Sequence, residues 1–118
     1  MLAPTEDMQL FVATTPVDMR KSINGLILEV VHSLGGNPQA SSLYIFRNKN
    51  SNLIKALFWD YDGFVLIQKR LEKYKFQFPK CAGTASIQIS KPQLRWLLSG
   101  FEFDRISKNK GLDYSDYC

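Results

Sequence analysis

The stretch from Tyr44 to Pro79, YIFRNKNSNLIKALFWDYDGFVLIQKRLEKYKFQFP, sets Arg47, Lys49, Lys55, Lys69 and Arg70 among aromatic and aliphatic residues. Cations in that density carry one chemistry, the binding of anions, of which phosphate is the commonest. The apolar runs LIKALFWD and FVLIQKR read as strands joined at Asp60–Gly63. At about 3.3 Å per residue, Lys69 and Arg70 lie roughly 20 Å from that turn. Lys55 falls opposite or diagonal to them, and the preceding turn brings Arg47 and Lys49 to the same end. Five cations from three strands therefore share one pole, with Asp60 and Asp62 at the other. Like charges on facing strands destabilise a sheet, and a bound anion removes that cost. Tyr74, Phe76 and Phe78, interleaved with the cations that follow, are placed either to stack on bases or to fill the core at period two. In the second case the cations splay into water.

Arg20, in DMRKS, is the other candidate. Cations in a first helical turn oppose the helix dipole, and a phosphate at the helix N-terminus reverses that sign. The alternative is that Asp18 caps the helix and neutralises its neighbour. Catalytic chemistry has weaker support. Asp60, Asp62 and Glu72 would suit a two-metal nuclease only if they converged. Asp60 and Asp62 are already explained as turn residues, and Glu72 lies far along the strand. His32 has no Ser or Cys partner at a recognisable spacing and reads as a helix-surface residue. Cys81 and Cys118 lack the spacing of a zinc site, and a disulfide between them is open to the sequence but not indicated by it. No catalytic residue, metal or cofactor is expected.

The elements that position these residues follow from periodicity. QLFVAT reads as a strand. Met19, Ile23, Leu26, Ile27, Val30, Val31 and Leu34 form one face of a helix capped by Asp18 and stopped at Gly35-Gly36. Gly25 inside it suggests a close-packed strand. SLYIFR, LIKALFWD and FVLIQKR form an antiparallel meander. For the second hairpin, Asp60 and Gly63 as first and fourth residues of a type I turn compete with Asp62-Gly63 as a two-residue turn. ASIQIS is a short strand, and Ser90 with Gln93 makes a capping box for a helix carrying Leu94, Leu97 and Leu98. The predicted fold is α+β, an antiparallel β-meander sheet with two helices packed on it. Residues 1–103 form a single domain and residues 104–118 a polar, mobile tail.

Composition agrees with a packed domain: 118 residues, 45% hydrophobic, with 8 Phe, 5 Tyr and 2 Trp. The net charge of +4 is unevenly spread, at −2 over residues 1–42, +5 over 43–80 and +1 over 81–118. The N-terminus does not read as a signal peptide and no apolar run reaches bilayer length, so a cytoplasmic protein is expected.

The pieces VDMRKSINGL, LYIFRNKNSNLIKALFWDYDGFVLIQKRLEKYKFQFP and QLRWLLSG, in this order and spacing, resemble the accessory protein TnpB of IS-sixty-six type bacterial insertion sequences, the second-open-reading-frame-like family. The likeness covers roughly Phe11 to Phe101. It extends to Asp18, Arg20, Arg47, Asn48, Lys55, Asp60, Asp62, Lys69, Arg70 and Glu72. Two positions depart, since the family usually has Gly at Tyr74 and Trp at Phe78. The resemblance implies a small protein encoded beside a separate transposase and needed for transposition. The expectation is a non-catalytic accessory protein that binds DNA through Arg20, Arg47, Lys49, Lys55, Lys69 and Arg70 and helps the transposase. The alternatives are an adaptor that docks on the transposase without contacting DNA and, third, a small nuclease.

Overall fold

A computed structural model describes residues 7–79, 81 and 83–99. The elements are β1 (Gln9–Ala13), α1 (Ile23–Leu28), β2 (Ser42–Arg47), β3 (Leu53–Asp60), β4 (Gly63–Arg70), β5 (Ser86–Ile89) and α2 (Lys91–Ser99). Helix α1 runs on into a π-helical turn, Glu29–Ser33. The five strands form one sheet in the order β4-β3-β2-β1-β5. Strands β2, β3 and β4 are the predicted antiparallel meander. The rest corrects the expectation, because β1 lies parallel to β2 and antiparallel to β5, so the sheet is mixed. The helical crossover through α1 returns the chain to the end where β1 began, which makes a parallel neighbour reachable. No local turn signal marks such a pairing.

Period-two alternation sends side chains to both faces, and both are covered. Leu10, Val12, Leu43, Ile45, Ile54, Ala56 and Phe58 pack with Phe76, Trp96 and Leu97 on the α2 face. Ala13, Tyr44, Phe46 and Leu57 pack with Leu26 and Val30 on the α1 face. This explains why β2 shows five consecutive buried residues instead of a polar alternation. The capping box forms: the Gln93 amide donates to Ser90 Oγ at 3.3 Å, and the Ser90 amide donates to Gln93 Oε1 at 2.8 Å.

Three local expectations are corrected. Helix α1 begins at Ile23 after Ser22, not at Asp18. The Asp18 carboxylate instead accepts from the Arg20 amide at 2.9 Å, closing a turn ahead of the helix. The closest approach at Gly25 is not to a strand, since a Cβ there would lie 3.1 Å from Lys21 Cβ. In the β3–β4 hairpin Asp60 pairs with Gly63, the first of the two registers. The positive φ of 56° at Tyr61, however, is not that of a type I turn, whose central residues have negative φ. The predicted tail, residues 104–118, and the pairing partner considered for Cys81, Cys118, lie outside the described residues.

Candidate functional site

The basic end of the sheet is built by a turn and a strap. The turn, residues 48–52, is held by the Asn48 side chain. Its Oδ1 accepts from the amides of Asn52 at 3.1 Å and Leu53 at 3.2 Å, and its Nδ2 donates to Asn52 Oδ1 at 2.6 Å. Beyond β4 the chain crosses this turn. The Leu71 amide donates to Asn52 O at 2.8 Å and the Phe76 amide to Ser51 O at 2.7 Å. Phe76 is buried in the α2-side core, which decides between its two readings: it is a core residue and does not stack on a ligand.

Turn and strap enclose an open cleft of about 710 Å³, lined by Thr14, Arg47, Lys49, Ser51, Lys75, Phe76, Gln77, Phe78, Pro79 and Cys81. Among the described residues, three cations and no carboxylate are in that lining. Arg47 is the central one. Its guanidinium lies 5.4 Å from the Phe78 ring centroid, and Nη1 donates to Asn48 O at 3.3 Å. Its Nε is buried without a hydrogen-bond partner among the described residues. Burial pushes the Arg47 pKa down, and no ion pair to it is present among the described residues. An anion in the cleft would supply a counter-charge to the guanidinium.

The other predicted cations are engaged elsewhere. Lys55 is only 9% exposed. Its Nζ donates to Met19 O at 2.7 Å and Lys21 O at 2.8 Å, holding the loop ahead of α1. Lys69 Nζ donates to Leu98 O at 3.0 Å, where the C-terminal end of α2 favours a positive charge. Arg70 pairs with Glu72 at 3.0 Å. Arg20, 92% exposed in its side chain, makes a two-pronged contact with Asp18, with Nη2 at 2.8 Å and Nε at 3.1 Å. That pairing, led by the side-chain hydrogen bonds, lowers the Asp18 pKa to about 2.

The five-cation pole therefore exists as a sheet end but not as one surface. Register places Arg47 opposite Ile54 and Ile54 opposite Lys69, on the α2 face, while Lys55 and Arg70 belong to the α1 face. A one-residue offset reverses the face, so strand proximity alone did not bring them together. Of the six predicted site residues, the cleft gathers Arg47 and Lys49. Sequence reasoning missed Lys75 as a site residue, and with it Thr14 and Ser51. The alternation Lys73-Tyr74-Lys75-Phe76 carried the signal for Lys75, because a buried Phe76 turns its neighbour outward.

A family model described as IS66 Orf2 like protein matches residues 8–108. The chain belongs to this family. Its relatives include two uncharacterized proteins of Sinorhizobium fredii (strain NBRC 101917 / NGR234). The protein y4jC is 32% identical over 108 residues, covering 92% of each chain. The protein y4hO is 36% identical over 103 residues, covering 87% of this chain and 89% of its own. No solved structure matches. Membership ties the protein to insertion sequences and to transposition. The match takes in both walls of the cleft, from Thr14 to Cys81. Among the described residues no helix is long and apolar enough to cross a membrane.

Proposed function

We propose that this IS66 Orf2-like protein is a non-catalytic accessory factor in transposition that holds DNA phosphates in the cleft of Arg47, Lys49 and Lys75 and assists the transposase of its element. The observation that carries this reading is the state of Arg47: partly desolvated and, among the described residues, with a buried Nε that lacks an acceptor and beside two lysines with no carboxylate in the lining. A structural arginine is normally matched by an acid, as Arg70 and Arg20 are here. Phosphate contacts of this kind position a protein on DNA without reading its sequence.

The test is an anisotropy titration of element-end and random duplexes over a range of salt. Each cation that neutralises a phosphate contributes about 0.9 to the slope of log affinity against log salt. Changing Arg47, Lys49 and Lys75 together to Gln should weaken binding to both duplexes and flatten that slope by up to about three units. Wild-type protein that binds neither duplex at low salt, while the transposase is captured by wild type and lost by the triple variant, would make the cleft a protein-docking surface instead.

A further inference from the structure

Cys81 stands half-buried in the wall of the Arg47 cleft, and its sulfur is held in a disulfide. The sequence has one other cysteine, Cys118. The stretch that leads to it, GLDYSDYC at residues 111–118, carries Asp113 and Asp116 and no Lys or Arg. We infer that a disulfide between Cys81 and Cys118 seats this acidic stretch in the cleft against Arg47, Lys49 and Lys75, and that reducing the bond opens the cleft to DNA. That the stretch keeps DNA out rests on the function proposed above. That it seats in the cleft does not.

Connectivity, reach and charge select this occupant. A disulfide sets its two Cα atoms about 5–6 Å apart. Asp116 is two residues from Cys118, so its Cα lies within about 7 Å of the bonded cysteine. The bond therefore brings Asp116 to a wall that Cys81 shares with the three cations. Residues 100–118 can extend to about 60 Å, more than the 40 Å long axis of the molecule, so the chain beyond α2 is long enough to reach the cleft. Among the described residues the lining holds three cations and no carboxylate, and two aspartates complement it. Tethering sets those acids at an effective concentration on the order of millimolar, so even weak contacts compete with a phosphate.

The bond forms by thiol–disulfide exchange. One cysteine thiolate attacks a small-molecule disulfide such as glutathione disulfide, giving a mixed disulfide and releasing one thiol. The other cysteine thiolate then displaces the second thiol. The two protein sulfurs give up two protons and two electrons, and the small molecule leaves as two thiols. Because Cys81 borders an open cleft, a thiol can return and cleave the bond.

Equilibration of the 118-residue chain with mixtures of glutathione and glutathione disulfide tests both parts. Trypsin should release from the oxidised monomer residues 81–95 joined to residues 111–118. The ratio of disulfide to dithiol should fall about fivefold in Asp113→Asn with Asp116→Asn, the loss expected for two exposed ion pairs. That variant changes no described residue. The chain with Arg47, Lys49 and Lys75 all changed to Gln should show the same fall. Oxidised wild type should bind a duplex about fivefold more weakly than reduced wild type. Cys118→Ser should bind like reduced wild type under both conditions, and the Asn variant should bind alike in its oxidised and reduced forms. Absence of the joined peptide, a bond between two copies, or a ratio unchanged in the Asn variant overturns the seating. Equal DNA affinity of oxidised and reduced wild type overturns the exclusion of DNA. If neither form binds DNA, the function proposed above fails, and the disulfide ratio still decides the seating.

Discussion

Arg47 and Lys55 stand on neighbouring strands at the same end of the sheet, one register step apart, and their fates are opposite. Lys55 is buried against two backbone carbonyls that take its charge. Arg47 lies over an aromatic ring with a buried nitrogen that no described residue accepts from. Both are cations drawn partly out of water. Of the two, only Lys55 has its desolvation offset by groups among the described residues, and this difference is the ground for proposing a ligand at Arg47. Charge density pointed to the end of the sheet where the candidate cleft lies, and internal partners separate the cations at that end that are engaged from those that line the cleft.

The largest effect should come from breaking the satisfied member of the pair. Lys55→Met removes two charge-assisted hydrogen bonds and strands the carbonyls of Met19 and Lys21, at a cost of about 2–4 kcal/mol. Denaturant unfolding should show that loss, while the salt slope for DNA measured on folded protein stays at the wild-type value. A folded Lys55→Met with a flattened slope would erase the distinction between the two cations. The next effect is on binding alone. Arg47→Gln should lower the slope by about one unit. Lys69→Gln with Arg70→Gln should leave it unchanged, because those charges already serve Leu98 O and Glu72.

Local features were legible in the sequence because each has a local cause. The capping box at Ser90 and Gln93, the Asp60–Gly63 hairpin and the helix stop at Gly35, which has φ +65°, are written within a few residues. The placement of β1 between β2 and β5 was not legible, since it depends on contacts between segments more than 25 residues apart in sequence. The site was half legible for the same reason. Composition pointed to Arg47 and Lys49. The engagement of Lys55 by the Met19–Lys21 loop, and the strap that carries Lys75 over the turn, are tertiary facts.

A smaller effect tests the strap itself. Tyr74 has φ +69°, a conformation that costs most side chains about 1–2 kcal/mol. The family resemblance sets Gly at this position, and the backbone gives the reason. Tyr74→Gly should relieve that strain, against the entropic cost of glycine and a weak contact of the exposed ring with Lys73, for a net gain of about 0.5 kcal/mol. The cleft and its salt slope should be unaffected. A loss of stability would show that the Tyr74 ring holds the strap in place.

The smallest effect concerns Arg20, which is exposed where Arg47 is partly buried and which, like Lys55, has a partner. The two-pronged contact with Asp18 should be read in acid. The folded-state Asp18 pKa is depressed from 3.8 to about 2, first by the Arg20 side-chain hydrogen bonds and then by its backbone amide. A depressed carboxylate stabilises the fold above its unfolded pKa, and that contribution fades as pH falls from about 3.8 through about 2. Both groups are solvent-exposed, so the pair contributes little to global stability and is better followed at the residue. The carboxyl carbon of Asp18, tracked by NMR, should titrate near 2 in wild type and move up toward 3.8 in Arg20→Ala, with the DNA salt slope unchanged. Titration of wild-type Asp18 near 3.8 would mean that the ion pair is open in solution. Arg20 would then join Arg47 among the cations free to take a phosphate, and the slope of Arg20→Ala should fall by about one unit.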